Sequence, residues 1–282
     1  MIQLRWLLPF LVVSVLTNFS WSEDASDKVI DRLIDLSGLT RQTAEIPGLV
    51  LAGIDGSRQQ HPHISDEMVS KMKNVVNGAF NTEEILNTIK LGFQGQITVA
   101  EAKELLHWYE SDLGYKITDA EEQGSTPEAY RAILAQAKTL IANQEMMNIA
   151  IEMDNLVNVT DFSLELSKST ALAVFTAITT IMDPDAKKKI AQFKGQLSML
   201  EEQMRSNTRQ MVLLSFVYAY REIKPQSLRI YIEFLKKPVS KKFNDLVLKS
   251  FKSAIGKSID MMAWNLAVDF KESVETGSGM GH

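Results

Sequence analysis

The chain has no cysteine, which excludes disulfides and thiolate metal sites as its source of stability. Seven prolines and 14 glycines in 282 residues are too few for a sandwich of short strands and turns. Only four histidines are present, which leaves little material for metal or acid–base centres. No Gly-x-Ser-x-Gly, His-Glu-x-x-His or glycine-rich phosphate loop occurs, so the signatures of serine hydrolases, zinc peptidases and nucleotide-binding enzymes are missing. After the first 22 residues the longest uncharged stretch is Ser169 to Met182, 14 residues with four threonines. A bilayer span needs about 20 apolar residues, so this stretch is expected to be a buried central helix. No catalytic residue, cofactor site or metal site is assigned from the sequence.

What is present begins with an N-terminal address. Met1 to Arg5 carries one positive charge, Trp6 to Val15 is uncharged and mostly apolar, and Ser22 with Ser20 supplies the small residues of a cleavage site. Residues 1–22 read as a secretory signal peptide cleaved after Ser22. The expected location is outside the cytoplasm, in the bacterial periplasm. No cysteine follows the apolar run, which excludes a lipid-anchored lipoprotein. The remaining chain of about 260 residues is long enough to bury a sizeable core without covalent staples.

Helix starts are legible locally. Thr98 followed by Glu101 forms a capping box, and Asn81 followed by Glu84 has the same form. Thr126-Pro127-Glu128 and Asp183-Pro184-Asp185 place a capping oxygen before a proline at the first helical position. Apolar residues then recur at helical spacing in Ile85 and Ile89, in Ala102, Leu105 and Leu106, and in Ile190, Phe193, Leu197, Leu200 and Met204. These predict core faces and an all-α fold.

The chain also reads as one helical unit written twice. At an offset of 126, Asn81-Thr82 falls on Asn207-Thr208, Trp108 on Phe234, Lys116 on Lys242 and Asp119 on Asp245. At an offset of 120, Leu36 and Thr40 fall on Leu156 and Thr160, and Glu45 on Glu165. The difference implies a six-residue insertion in the second copy, which a loop absorbs at little cost. The expected organisation is a helical unit at 23–147, a related, divergent unit at 148–275 packed on it as a pseudo-symmetric pair, and a disordered tail at 276–282.

The segment Glu101 to Lys116 combines an acidic helix start, an apolar and aromatic run, Trp108-Tyr109, Ser111-Asp112, Gly114 and a lysine. It resembles the signature of a secreted bacterial helical domain, domain of unknown function twenty fifty-nine, whose motif reads Phe-Tyr-x-Ser-Pro-x-Gly. Trp108, Tyr109, Ser111 and Gly114 hold four of its positions, and Asp112 stands where proline is usual. In the second copy Phe234, Pro238 and Lys242 match, while Leu235, Lys237 and Ser240 do not. The resemblance covers residues 81–120 and 207–246. It implies an α-helical cell-envelope protein and brings no activity with it. Read physically, Trp108 and Tyr109 end a helix, Ser111 and Asp112 bond the terminating backbone, and Gly114 is expected in the left-handed conformation of a helix end.

Two surface features complete the reading. His61 and His63, followed by Asp66 and Glu67, are the only cluster with metal-ligand residue types, and a metal-binding protein is one alternative they raise. From Ala186 to Lys257 the chain has 16 Lys or Arg against five Asp or Glu, so an acidic first unit faces a basic second one. Those charges can be solvated helix faces, a seam where the basic unit meets the acidic one, or a patch for anionic lipid or envelope polymer. Lys236, Lys237, Lys241 and Lys242 are the candidate residues for an anionic surface, with Lys187, Lys188 and Lys189 nearby. The reading adopted is a non-enzymatic binding or interaction module of the cell envelope, whose partner is an anionic envelope surface or another envelope protein, not nucleic acid. A hydrolase or other enzyme using carboxylates and lysines is the competing class. Burial of Glu104 or Glu110 beside a pocket would favour it.

Overall fold

The computed structural model describes residues 24–60, 66–182 and 185–278. Every named element among them is helical: α1 (Asp27–Leu36), α2 (Leu39–Gln60), α3 (Asp66–Ala79), α4 (Thr82–Phe93), α5 (Val99–Tyr109), α6 (Asp112–Gly124), α7 (Pro127–Ala142), α8 (Gln144–Val157), α9 (Val159–Met182), α10 (Ala186–Met199), α11 (Glu201–Ala219), α12 (Pro225–Leu235) and α13 (Pro238–Ser278). The protein is all-α, as its sequence predicts. The signal segment at 1–22 and the pair His61 and His63 lie outside the described residues. Helix α13 continues to Ser278, so the expected tail at 276–282 is helical in its first three residues.

Local chemistry sets several of the helix starts. Thr98 accepts from Glu101 N at 3.2 Å, and the Glu101 carboxylate accepts from Thr98 N at 2.9 Å, closing the capping box of α5. Asn81 accepts from the backbone of Glu83 and Glu84 to open α4, and Thr126 caps α7 ahead of Pro127. Caps of this kind contribute about 1 kcal/mol each. Asp183 and Pro184 lie outside the described residues, and α10 opens at Ala186 with Asp185 in the cap position. Helix α9 starts from a buried carboxylate: Asp154 accepts from Thr160 N at 2.9 Å and from the Thr160 hydroxyl at 2.7 Å.

Three expectations are corrected. Gly114 is not left-handed; it sits in the first turn of α6, where a Cβ would run into the carbonyl oxygen of Trp108. The chain needs glycine there so that α6 can start directly beneath the end of α5. Residues 171–178 of α9 are half-buried on all sides, not buried, because α9 packs on α10, α11 and α13 and leaves part of its surface open. The apolar face read along α10 does not all reach the core: Leu197 is buried, but Leu200 is half exposed at the α10–α11 corner.

The helix spacings are regular. α9 begins 120 residues after α2, and α10 begins 120 after α3. α12 begins 126 residues after α5, and α13 begins 126 after α6. The left-handed residues Gly38 (φ 79°) and Asn158 (φ 56°), which join α1 to α2 and α8 to α9, are also 120 apart. One continuous core runs through both halves, from Ile30 and Ile34 through Ile89 and Leu105 to Leu228, Ile232 and Ile255. The expected boundary at 147/148 falls inside α8, and the nearest helix break is Asn143. Helices cross between the halves at close quarters: α13 crosses α4 where Ser250 covers Gly92, and α11 crosses α6 where an added Cβ on Gly124 would lie 2.7 Å from Ala219 Cβ.

Candidate functional site

The corner at the end of α5 delivers two aromatic rings into the seam between the halves. Trp108 stacks on Phe234 of α12, ring centroids 4.4 Å apart and planes 9° from parallel, and on Tyr231 at 5.6 Å. Tyr109 meets Phe234 edge-on at 6.1 Å and Phe243 of α13 at 5.8 Å. The corner holds them because Ser111 donates to Trp108 O at 2.6 Å and accepts from Gly114 N at 3.0 Å. Such ring pairs contribute about 0.5–1.5 kcal/mol each beyond the area they bury.

Beside this stack lies a cavity of about 410 Å³. Its wall is drawn from α5, α6, α8, α9, α11, α12, α13 and the α1–α2 corner, and it includes Tyr109, Tyr220, Tyr231, Phe162, Phe243 and Phe251. One ionisable acid lines it, Glu121 of α6, and no lysine, arginine or histidine does among the described residues. Glu121 Oε1 accepts from the hydroxyls of Tyr220 at 2.6 Å and Tyr231 at 2.9 Å. The Glu121 side chain retains some accessible surface because it opens onto the cavity, while by depth it is enclosed by protein. Burial pushes its carboxyl above the usual glutamate range; the two phenols pull it back and neighbouring Glu122 adds to the rise, leaving it raised. Burial, reinforced by Glu121, also pushes the phenols of Tyr109, Tyr220 and Tyr231 upward, so they remain neutral hydrogen-bond donors. The arrangement can bind and orient a molecule or hold a proton.

The sequence-predicted lysines sit elsewhere. Lys237 pairs with Glu104 of α5 at 3.2 Å, and Lys242 with Glu101 at 2.7 Å. Lys236 pairs with Glu233 at 2.7 Å and with Glu152 at 3.3 Å. Lys241 is exposed and makes no ion pair among the described residues. Three of the four are therefore already matched to carboxylates, and two of those pairs join the basic half to the acidic one, at the side-chain exposures of 27% to 51% where such pairs are individually weak. Glu104 and Glu110 are both on the outside, Glu110 paired with Arg32 at 2.7 Å, so neither sits buried beside a pocket. No metal-holding cluster of His, Asp or Glu occurs among the described residues, and no helix of the described residues is long and apolar enough to cross a membrane.

Sequence reasoning missed Glu121, Tyr220 and Tyr231. A signal existed for the first: Glu121 lies one helical turn past Ile117, which is 1% exposed, so the acid falls on the buried stripe of α6. Nothing local marks the tyrosines, whose meeting at one oxygen depends on how α11 and α12 pack against α6. Fold and site together define an all-helical protein with a single-acid aromatic cavity in the seam between its halves. No protein-family model, curated protein or solved structure matches the chain.

Proposed function

We propose that the protein is a non-enzymatic binding module of the cell envelope, exported to the periplasm, whose seam cavity takes a small and largely apolar molecule. The observation behind it is the cavity itself. A space of about 410 Å³ is the size of a small-molecule pocket, about 300–1,000 Å³, and its wall joins several aromatic rings to a set of polar groups, as such sites do. The envelope location rests on the N-terminal residues and on the resemblance of the 101–116 segment. The regular 120- and 126-residue helix spacings support the reading of two related units, with the cavity formed where they meet.

The lysine cluster is the weaker candidate for a binding surface, because the ion pairs of Lys236, Lys237 and Lys242 cancel most of the charge they would present to an anionic membrane.

The test uses N-phenyl-1-naphthylamine, a neutral apolar fluorophore, with the chain from residue 23. Saturable binding to the unaltered protein is expected. Ser163→Trp and, separately, Val247→Phe each fill the cavity and should abolish that binding while circular dichroism and Tm report a folded protein. Binding that survives in both folded variants would place the ligand elsewhere and refute the assignment.

A further inference from the structure

We infer that the cavity is selective for amphiphilic organic cations, an ammonium head group on an apolar body, with Glu121 as counter-charge. This rests on the cavity reading above and names the class of ligand it takes. Glu121 Oε1 is already occupied by two phenol donors, from Tyr220 and Tyr231. The carboxyl still has acceptor capacity beyond that one oxygen. Tyr109, on the same wall, adds a further ring and a neutral hydroxyl close enough to feel the charge of Glu121. A carboxyl in a largely aromatic pocket whose lining holds no lysine, arginine or histidine gains its missing charge partner when a cation binds beside it. Aromatic rings attract cations through their quadrupole, and the cavity that holds Glu121 is lined by the rings of Tyr109, Phe162, Phe243 and Phe251, while Tyr220 and Tyr231 present their hydroxyls to the acid. An anionic head group would meet Glu121 with no lysine, arginine or histidine to receive it. A neutral molecule gains only the apolar part of the site.

Five positions of the first half that line the cavity are Ser37, Gln42, Tyr109, Glu121 and Ser125; the residues 120 or 126 later, which line it too, are Val157, Phe162, Leu235, Val247 and Phe251. Each of these five pairs offers a polar group from the first half and an apolar one from the second, while Leu39 and Val159 are apolar in both halves, and Ser163, Ser215, Ser240 and Asn244 add polar groups from the second half. Glu121 of α6 marks the place of the head group, and Phe162, Val247 and Phe251 supply apolar wall for the body.

The experiment compares n-decylamine, n-decanol and n-decanoate, three probes with one chain and three head groups, below their micellar concentrations near neutral pH. Each is measured by displacement of N-phenyl-1-naphthylamine and by calorimetry. Decylamine is expected to bind about tenfold or more tighter than decanol, a difference in affinity of about 1.4 kcal/mol, and decanoate weakest. Glu121→Gln keeps an acceptor for Tyr220 and Tyr231 and should bring decylamine and decanol to within about threefold of each other, roughly 0.65 kcal/mol. Decanol binding as tightly as decylamine in the unaltered protein would overturn the cation inference and leave the cavity reading standing. Failure of all three probes, or binding that persists in folded Ser163→Trp, would overturn both. The three-probe comparison needs no variant, so the inference stays testable even if Glu121→Gln misfolds.

Discussion

Replacing Phe234 by alanine removes the ring against which Trp108 is stacked. Phe234 is 4% exposed and touches the rings of Trp108, Tyr109 and Tyr231. Truncation therefore creates a cavity at the point where the two halves meet, and core Phe→Ala changes cost about 3–5 kcal/mol. The ring pair itself contributes a coupling of about 0.5–1.5 kcal/mol, measurable in a double-mutant cycle with Trp108→Leu. The assay is urea unfolding of the chain from residue 23, followed by far-UV circular dichroism so that loss of Trp108 does not remove the signal. Trp264→Ala is the control. Its ring is 60% exposed, and its loss should change stability by no more than about 0.5 kcal/mol. One core runs through both halves, so a single cooperative transition is expected for all five proteins. A loss below about 1 kcal/mol for Phe234→Ala, below the low end of core truncations, would show that the seam is not packed as described. So would two separated transitions.

Two further predictions follow from the same seam. Gly114→Ala places a methyl group against the Trp108 carbonyl, a fixed backbone atom that cannot give way, and should destabilise by about 1–3 kcal/mol as overpacking does; a neutral change in Tm would contradict the close approach of α5 and α6. The Glu121 carboxyl is raised in the folded protein, so its favourable contribution is complete below the unfolded glutamate value of about 4.3 and is lost as pH rises through the folded value. Glu121→Gln removes that dependence, and its stability relative to the unaltered protein should increase as pH is raised from about 4; a flat difference would mean that burial does not raise this carboxyl.

What the sequence disclosed was what short-range chemistry controls. Thr98 with Glu101, Asn81 and Thr126 opened helices where their spacing put them, because a cap needs only the next three residues. The all-α class followed from sparse glycine and proline and from periodic apolar residues such as Ile85, Ile89 and Leu105. Gly114 was marked as special, but for the wrong reason: a glycine can be needed for positive φ or for close approach, and only the position of Trp108 O decides between them. Ser169 to Met182 looked buried because it has no charge, yet burial depends on neighbours, and α9 has them on only part of its surface. The lysines of the second half looked free until Glu101 and Glu104, more than 130 residues away, came to meet Lys242 and Lys237.

Glu121 shows how a site can arise in a seam without disturbing the fold that makes it. On the reading of two related units, its counterpart is Val247, and the counterparts of Gln42 and Ser125 are Phe162 and Phe251. If both copies kept the apolar residue at each position, the cavity would be a featureless void whose cost favours collapse. If both kept the polar one, two facing carboxyls would compete for a single set of phenol donors, and like charges close together cannot both ionise. On that reading, divergence in one copy alone avoids both outcomes. It leaves one acid, supplied with two hydroxyl donors by Tyr220 and Tyr231, with Val247, Phe162 and Phe251 in the wall at the matching positions of the other unit. The residues that hold the units together, Trp108 and Phe234, lie outside that wall, so the chemistry of the cavity can change while the stacking that fixes its shape does not.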